Sequence, residues 1–150
     1  ATENSRRTIE ELLPDIERAC IDVGLENVWN GFFASPADMT TFIDSFSCKY
    51  VRAYFDVGNV AAFSYPEYWI EMLGQRICKI HVKDYLRTQG WHSGGWVNLL
   101  EGSIRWDKAM AALRQAGYDG AITAELPAMP AAPDYLYGIT SGALDVIINF

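Results

Sequence analysis

Histidine, cysteine and positive charge are all scarce in this sequence. Only two histidines, His81 and His92, and three cysteines occur among 150 residues. No two cysteines stand at zinc-finger spacing, which excludes a structural zinc site built on thiolates. Cys20, Cys48 and Cys78 are odd in number, far apart and set in apolar sequence. The expectation is reduced core thiols rather than a disulfide framework, and with them a cytoplasmic protein. Lysine and arginine total 12 against 19 acidic residues, for a formal net charge of −7. The basic residues are scattered, which argues against a nucleic-acid partner. No stretch approaches the roughly 18 consecutive apolar residues of a membrane span, and the opening "ATENSRRTIEE" has no apolar signal-peptide core. No membrane partner is expected. What the chain does have is apolar residues, 50% of the total, enough for one domain that buries roughly 70% of its unfolded surface.

Strand and helix patterns alternate along the chain. A first helix is expected over 6–23, with Thr8 and Glu11 at capping-box spacing and a stripe of Ile9, Leu12, Leu13, Ile16 and Ala19. A strand over "GLENVWN" (24–30) leads to a helix over "SPADMTTFIDSF" (35–46), where Ser35 is the N-cap and Pro36 the first helical residue. "KYVRAYFDVGN" reads as strand and turn, "SYPEYWIEMLGQ" as a short helix and "RICKIHVKDY" as a third strand. The stretch "RTQGWHSGGWVNLLEGS" is the longest loop, and long loops in compact domains are often functional. "IRWDKAMAALRQAG" is a helix stopped by Gly117. "GAITAEL" is the fourth strand, and "PDYLYGITSGALDVIINF" a closing helix. Such alternation predicts an α/β fold with four parallel strands and right-handed crossovers.

Each strand carries an ionisable residue where its apolar run gives out: Glu26, Asp56, His81 and Glu125. Taken singly, each has a plain structural explanation. Asp56 before "VGN" suits an Asx-type turn, His81 a hydrogen-bonded core histidine, and Glu26 and Glu125 solvated strand ends. In parallel sheets, however, functional loops lie beyond the carboxyl ends of the strands, so the four would converge. Three carboxylates brought together cost heavily through desolvation and repulsion unless a cation compensates them. The oxygen-rich set with one imidazole suits one divalent metal, Mn²⁺ or Mg²⁺ first, with Co²⁺, Fe²⁺ or Zn²⁺ also compatible.

The segments "ENVWN", "FDVGNV", "KIHVKD", "LLEGSIRWDKAMAALRQAGYDG" and "AITAELP" together resemble the C-terminal half of the xylose isomerase-like TIM barrels. These are sugar-phosphate isomerases and epimerases, and the L-ribulose- or L-xylulose-5-phosphate 3-epimerases look most similar. The resemblance covers about residues 20 to 127. It implies half of a (β/α)₈ barrel in which Glu26, Asp56, His81 and Glu125 hold the metal, while Glu26 and Glu125 alternate as acid and base. The substrate would be a small ketose or ketose phosphate, epimerised or isomerised through an enediolate. Arg87 matches an arginine that approaches substrate oxygens in related epimerases, or is a solvated loop charge. Asn59 stands where some relatives have a histidine, and either bonds a hydroxyl or shapes the turn. His92 is a candidate lid contact; Trp91 and Trp96 either stack on a ligand or pack on the rim. Lys83 and Asp84 are expected to pair locally or with neighbouring strands.

A complete barrel of this kind takes about 200 residues or more. The expectation is therefore a single domain over 1–150 that is the C-terminal half of a barrel, cut from a longer chain or completed by assembly. The strands look too apolar for an open half-barrel to face water, so a homo-oligomer is expected. Two other functions compete. One is a non-catalytic sugar-binding or assembly half-barrel. The other is a DNA-repair endonuclease resembling endonuclease IV, disfavoured by the acidic charge and the shortage of histidine.

Overall fold

The computed structural model describes residues 1–89 and 93–150. Helix α1 (Thr2–Ala19) leads into strand β1 (Val23–Glu26), then α2 (Pro36–Asp44), β2 (Val51–Asp56), the short α3 (Val57–Ala61) and α4 (Pro66–Leu73). A 3₁₀ turn (Gly74–Arg76) precedes β3 (Ile77–Val82). A hairpin of β4 (Asp84–Arg87) and β5 (Gly94–Val97) follows, then α5 (Trp106–Gln115), β6 (Ile122–Ala124) and α6 (Pro133–Ile147). Strands β1, β2, β3 and β6 form one parallel sheet in that order, as the alternation predicts. Among the described residues no helix is long and apolar enough to cross a membrane.

The expected local signals are partly realised. Ser35 Oγ accepts from the Asp38 amide at 3.2 Å and Pro36 opens α2. Gly117 ends α5 at φ 75°, the left-handed region that favours glycine. Thr8, in contrast, caps nothing: α1 starts six residues earlier, and the Thr8 hydroxyl donates back to the Asn4 carbonyl at 3.0 Å. Its stripe is also narrower than expected. Ile9, Leu13 and Ile16 pack on the core, whereas Leu12 and Ala19 are exposed. Cys20 is not a core thiol but the exposed C-cap of α1 at φ 55°; Cys48 and Cys78 are half-buried, and all three are free. The long loop expected over 87–103 contains β5, which pairs antiparallel with β4.

One apolar cluster lies between the sheet and its helices. Val51, Ala53 and Phe55 of β2 and Ile77, Ile80 and Val82 of β3 meet Phe42 and Ile43 of α2, Trp69 and Ile70 of α4, and Leu113 of α5. Phe55 is fully buried and stacks on Trp69 with ring centroids 6.2 Å apart. Phe55→Ala should therefore cost about 3–5 kcal/mol, read as a lower midpoint in denaturant unfolding. Because strand side chains alternate, Arg52, Tyr54 and Asp56 project to the opposite face. That face is polar, so the apolar residues that suggested an uncomfortable open surface are covered by the chain's own helices.

Candidate metal centre

The ends of the four parallel strands deliver four side chains to one place. Glu26 is the last residue of β1 and Asp56 the last of β2; His81 lies opposite Asp56 in β3. Glu125 follows β6, its amide bonded to the Val82 carbonyl at 2.9 Å. His81 Nδ1 donates to Glu26 Oε1 at 3.0 Å, and lies 4.0 Å from Asp56 Oδ2 and 3.7 Å from Glu125 Oε2. One donor atom from each residue falls within 4.8 Å of the others. Opposite ligands of an octahedral cation lie roughly 4–4.5 Å apart, so a small contraction brings the set to coordination distance.

Asp56 divides its two oxygens between structure and site. Oδ1 accepts from the Asn59 amide at 2.7 Å, capping α3. Oδ2 is buried and makes no hydrogen bond. An oxygen so placed, with only the ion-pair contact of the Lys83 ammonium at 3.0 Å, is a ready ligand for a cation. Burial raises the Asp56 carboxyl to about 6, against the opposing Asn59 amide and Lys83 charge.

Asn27 holds the backbone around Asp56. Its amide Nδ2 donates to the Asp56 carbonyl at 2.8 Å, and its Oδ1 accepts from the Asp56 N–H at 2.8 Å. Asn59 Nδ2 closes the network by donating to the Asn27 carbonyl at 3.0 Å. In effect, a side-chain amide extends the ladder between β1 and β2 past the point where β1 ends. Asn27→Ala would leave both buried backbone groups of Asp56 without partners, so a loss of about 2–4 kcal/mol is expected in urea unfolding. A loss below about 0.5 kcal/mol would count against the clamp.

Lys83 enters the same site. Its Nζ donates to Glu125 Oε2 at 2.7 Å and stands 3.0 Å from Asp56 Oδ2, an ion-pair distance without hydrogen-bond alignment. The bond to Lys83 lowers the Glu125 carboxyl, opposed by burial. Burial pulls the ammonium itself down, but Glu125 and Asp56 outweigh it and hold it above its usual value. Three carboxylates against one ammonium leave the cluster net negative, which would attract a divalent cation. Gly58 makes the approach of Lys83 feasible, because a Cβ there would sit 2.2 Å from Lys83 Cγ and 2.7 Å from its carbonyl oxygen. Gly58→Ala should shift the β3 end and cost about 1–3 kcal/mol, measured in the same unfolding experiment.

Beside the cluster opens a cavity of about 410 Å³, whose lining includes Trp29, Asn59, Lys83, Trp96 and Glu125. That is within the range of small-ligand sites. Trp29 and Trp96 pack at 5.1 Å between centroids, and Tyr85 lies 5.1 Å from Trp96, forming an aromatic wall. Arg87 is engaged elsewhere: its guanidinium donates to the Ala61 and Ser64 carbonyls and lies 4.7 Å from the Tyr65 ring centroid. His92 and Trp91 lie outside the described residues. Asn27 and Trp29 are the site residues that sequence reasoning assigned no role, and Lys83, expected to pair locally or with neighbouring strands, does pair with Asp56 and Glu125 but inside the cluster itself. For Lys83 a signal existed, since the residue two beyond His81 shares its strand face. Asp84, by contrast, is buried and structural, accepting from the Tyr85 and Leu100 amides and from Trp106 Nε1.

A four-stranded parallel sheet with helices between its strands, and a cluster of metal-ligand type at the strand ends, defines half of a TIM-barrel architecture with its site in the usual place. Residues 1–141 match the xylose isomerase-like TIM barrel family, and the chain belongs to it. A 3-oxo-isoapionate decarboxylase of Pectobacterium atrosepticum is 31% identical over 83 residues, 53% of this chain and 29% of the relative. A protein of Methanocaldococcus jannaschii without an assigned activity is 26% identical over 129 residues, 82% of this chain and 43% of the relative. Among solved structures, the IOLI protein with a bound zinc atom superposes with a TM-score of 0.79 at 15% identity, covering 98% of this chain and 56% of that one. A D-tagatose 3-epimerase-like protein gives 0.73 at 24% identity, covering 97% and 55%. A xylose isomerase-like TIM barrel protein of Mycobacterium smegmatis in complex with magnesium gives 0.69 at 19%, covering 95% and 51%. At these identities the structures establish the fold. This chain spans less than half the length of the two curated relatives and slightly over half that of the three solved structures.

Proposed function

We propose that Glu26, Asp56, His81 and Glu125 hold one divalent cation and that the site catalyses proton transfer at a carbon beside the carbonyl of a ketose or ketose phosphate. The observation that carries this reading is the convergence of four ligand-type residues, among them Asp56 with a buried carboxylate oxygen that makes no hydrogen bond of its own. The zinc and magnesium complexes and the epimerase-like protein among the family's structures support it.

A divalent cation bound there supplies Lewis-acid polarisation of the carbonyl, worth several kcal/mol as negative charge develops. The chain does the rest. Glu26 and Glu125 come from the two edge strands and flank Asp56 and His81, so one can remove a proton and the other return one to the opposite face. The Glu125 side chain is 52% exposed, at the cavity mouth, whereas that of Asp56 is fully buried and serves only as ligand and cap. Asn27 and Asn59 fix Asp56. Asn59 and the aromatic wall border the space for the sugar, where Asn59 is our candidate for a hydroxyl contact. Arg87, held on two carbonyls, is better suited to support the α3–α4 segment; the lid contact proposed for His92 rests on sequence alone.

A screen of ketoses and ketose phosphates in D₂O with added Mn²⁺ tests the reading, because deuterium enters substrate even when product is scarce. Exchange above the protein-free rate supports it. Metal binding without exchange on any ketose would favour the second reading, a non-catalytic sugar-binding half-barrel. Association is part of the same proposal, since β1 and β6 both end the sheet as edges. Light scattering at micromolar concentration should give a dimer or larger species; a stable compact monomer would defeat that expectation.

A further inference from the structure

We infer that Lys83 is an internal cation that occupies part of the metal's site in the metal-free chain and must leave it when the metal binds, so that this lysine sets the metal affinity. The inference rests on the metal reading above and adds a residue outside the ligand set. Its ammonium contacts Glu125 Oε2 at 2.7 Å and Asp56 Oδ2 at 3.0 Å. These are the same carboxylate oxygens that His81 Nδ1 faces at 3.7 and 4.0 Å. Two cations cannot share two oxygens at contact distance without strong repulsion, which at about 4 Å remains large even at the effective dielectric of a protein surface. The lysine also has a partner outside the carboxylates: its Nζ already lies over the Trp96 ring, 5.2 Å from the centroid and within cation–π range, on the cavity wall, so it can close on that face when the carboxylates are taken. Gly58 shows the placement to be built in, because any side chain there would collide with the Lys83 stem.

The test is titration of Mn²⁺ alone into the chelator-treated full chain, by calorimetry and by tryptophan emission, for wild type, Lys83→Met and Lys83→Gln. Both variants should bind at least about tenfold tighter than wild type, because the competing charge is gone. In wild type, binding should change the emission of the tryptophan cluster as the ammonium moves against Trp96, and the change should shrink in both variants. If Lys83→Met does not fold without metal, Lys83→Gln, which keeps a donor to the two carboxylates, carries the comparison. Equal or weaker binding in the variants would overturn the inference while leaving the metal reading intact, as would wild-type binding with no emission change. A wild-type chain that takes up no Mn²⁺ would instead remove the metal reading and this inference with it.

Discussion

Glu26→Gln and Glu125→Gln, each assayed with metal held at saturation, should lower turnover of a ketose substrate by about 10²- to 10⁴-fold, the usual contribution of a positioned acid or base. Glutamine preserves size and one ligand oxygen but cannot carry the proton. The two carboxylates sit at opposite edges of the four-strand sheet, with Asp56 and His81 between them. Each variant should therefore block one proton transfer, and the double variant should be little worse than either single one, because both steps are needed for turnover. Substrate affinity should largely survive, so that the loss appears in the rate at saturating substrate. Exchange that persists in the double variant would refute the assignment of both residues.

Removing a central ligand should have the largest effect on metal binding. His81→Ala and Asp56→Ala should each weaken affinity by more than the about 10- to 100-fold that loss of an outer hydrogen-bond partner costs. Asp56→Ala carries a complication, since Oδ1 also caps α3 through the Asn59 amide. Asp56→Asn separates the two roles: the amide oxygen can still accept from Asn59, while the charge facing His81 and Lys83 is lost. Near-wild-type unfolding with greatly weakened metal uptake is expected, as measured by denaturant titration and by metal content after dialysis. Unchanged metal content in Asp56→Asn and His81→Ala would remove the site.

Much of the fold was legible because parallel strands and their covering helices leave coarse periodic marks. The order of four strands, the Ser35–Pro36 helix start and the Gly117 stop followed from residue types whose physics is local. The hairpin of β4 and β5 was not legible, since Asp84–Arg87 continues the run of β3 in sequence and only the break at Lys83 separates them. Thr8 misled for a related reason: its spacing to Glu11 fits a cap, yet polar residues from Thr2 onward extend the helix past it. The four ligand-type residues were visible as charges at the ends of apolar runs. What the sequence could not show was how their neighbours are used. Asp56 proved to be both turn-former and candidate ligand, one oxygen for each. Arg87 is tied to backbone carbonyls that only the tertiary fold brings near, and Asn27 takes over a backbone ladder whose end point no local pattern reveals.

The most direct measurement of the central claim is a crystal structure of the chain grown with Mn²⁺, with the metal located by its anomalous scattering. The account predicts one strong peak, bounded by Glu26, Asp56, His81 and Glu125, with oxygen and nitrogen ligands at roughly 2.0–2.3 Å and the Lys83 ammonium withdrawn toward Trp96. A peak elsewhere, or an empty cluster at saturating Mn²⁺ with Lys83 still bridging Asp56 and Glu125, would contradict it.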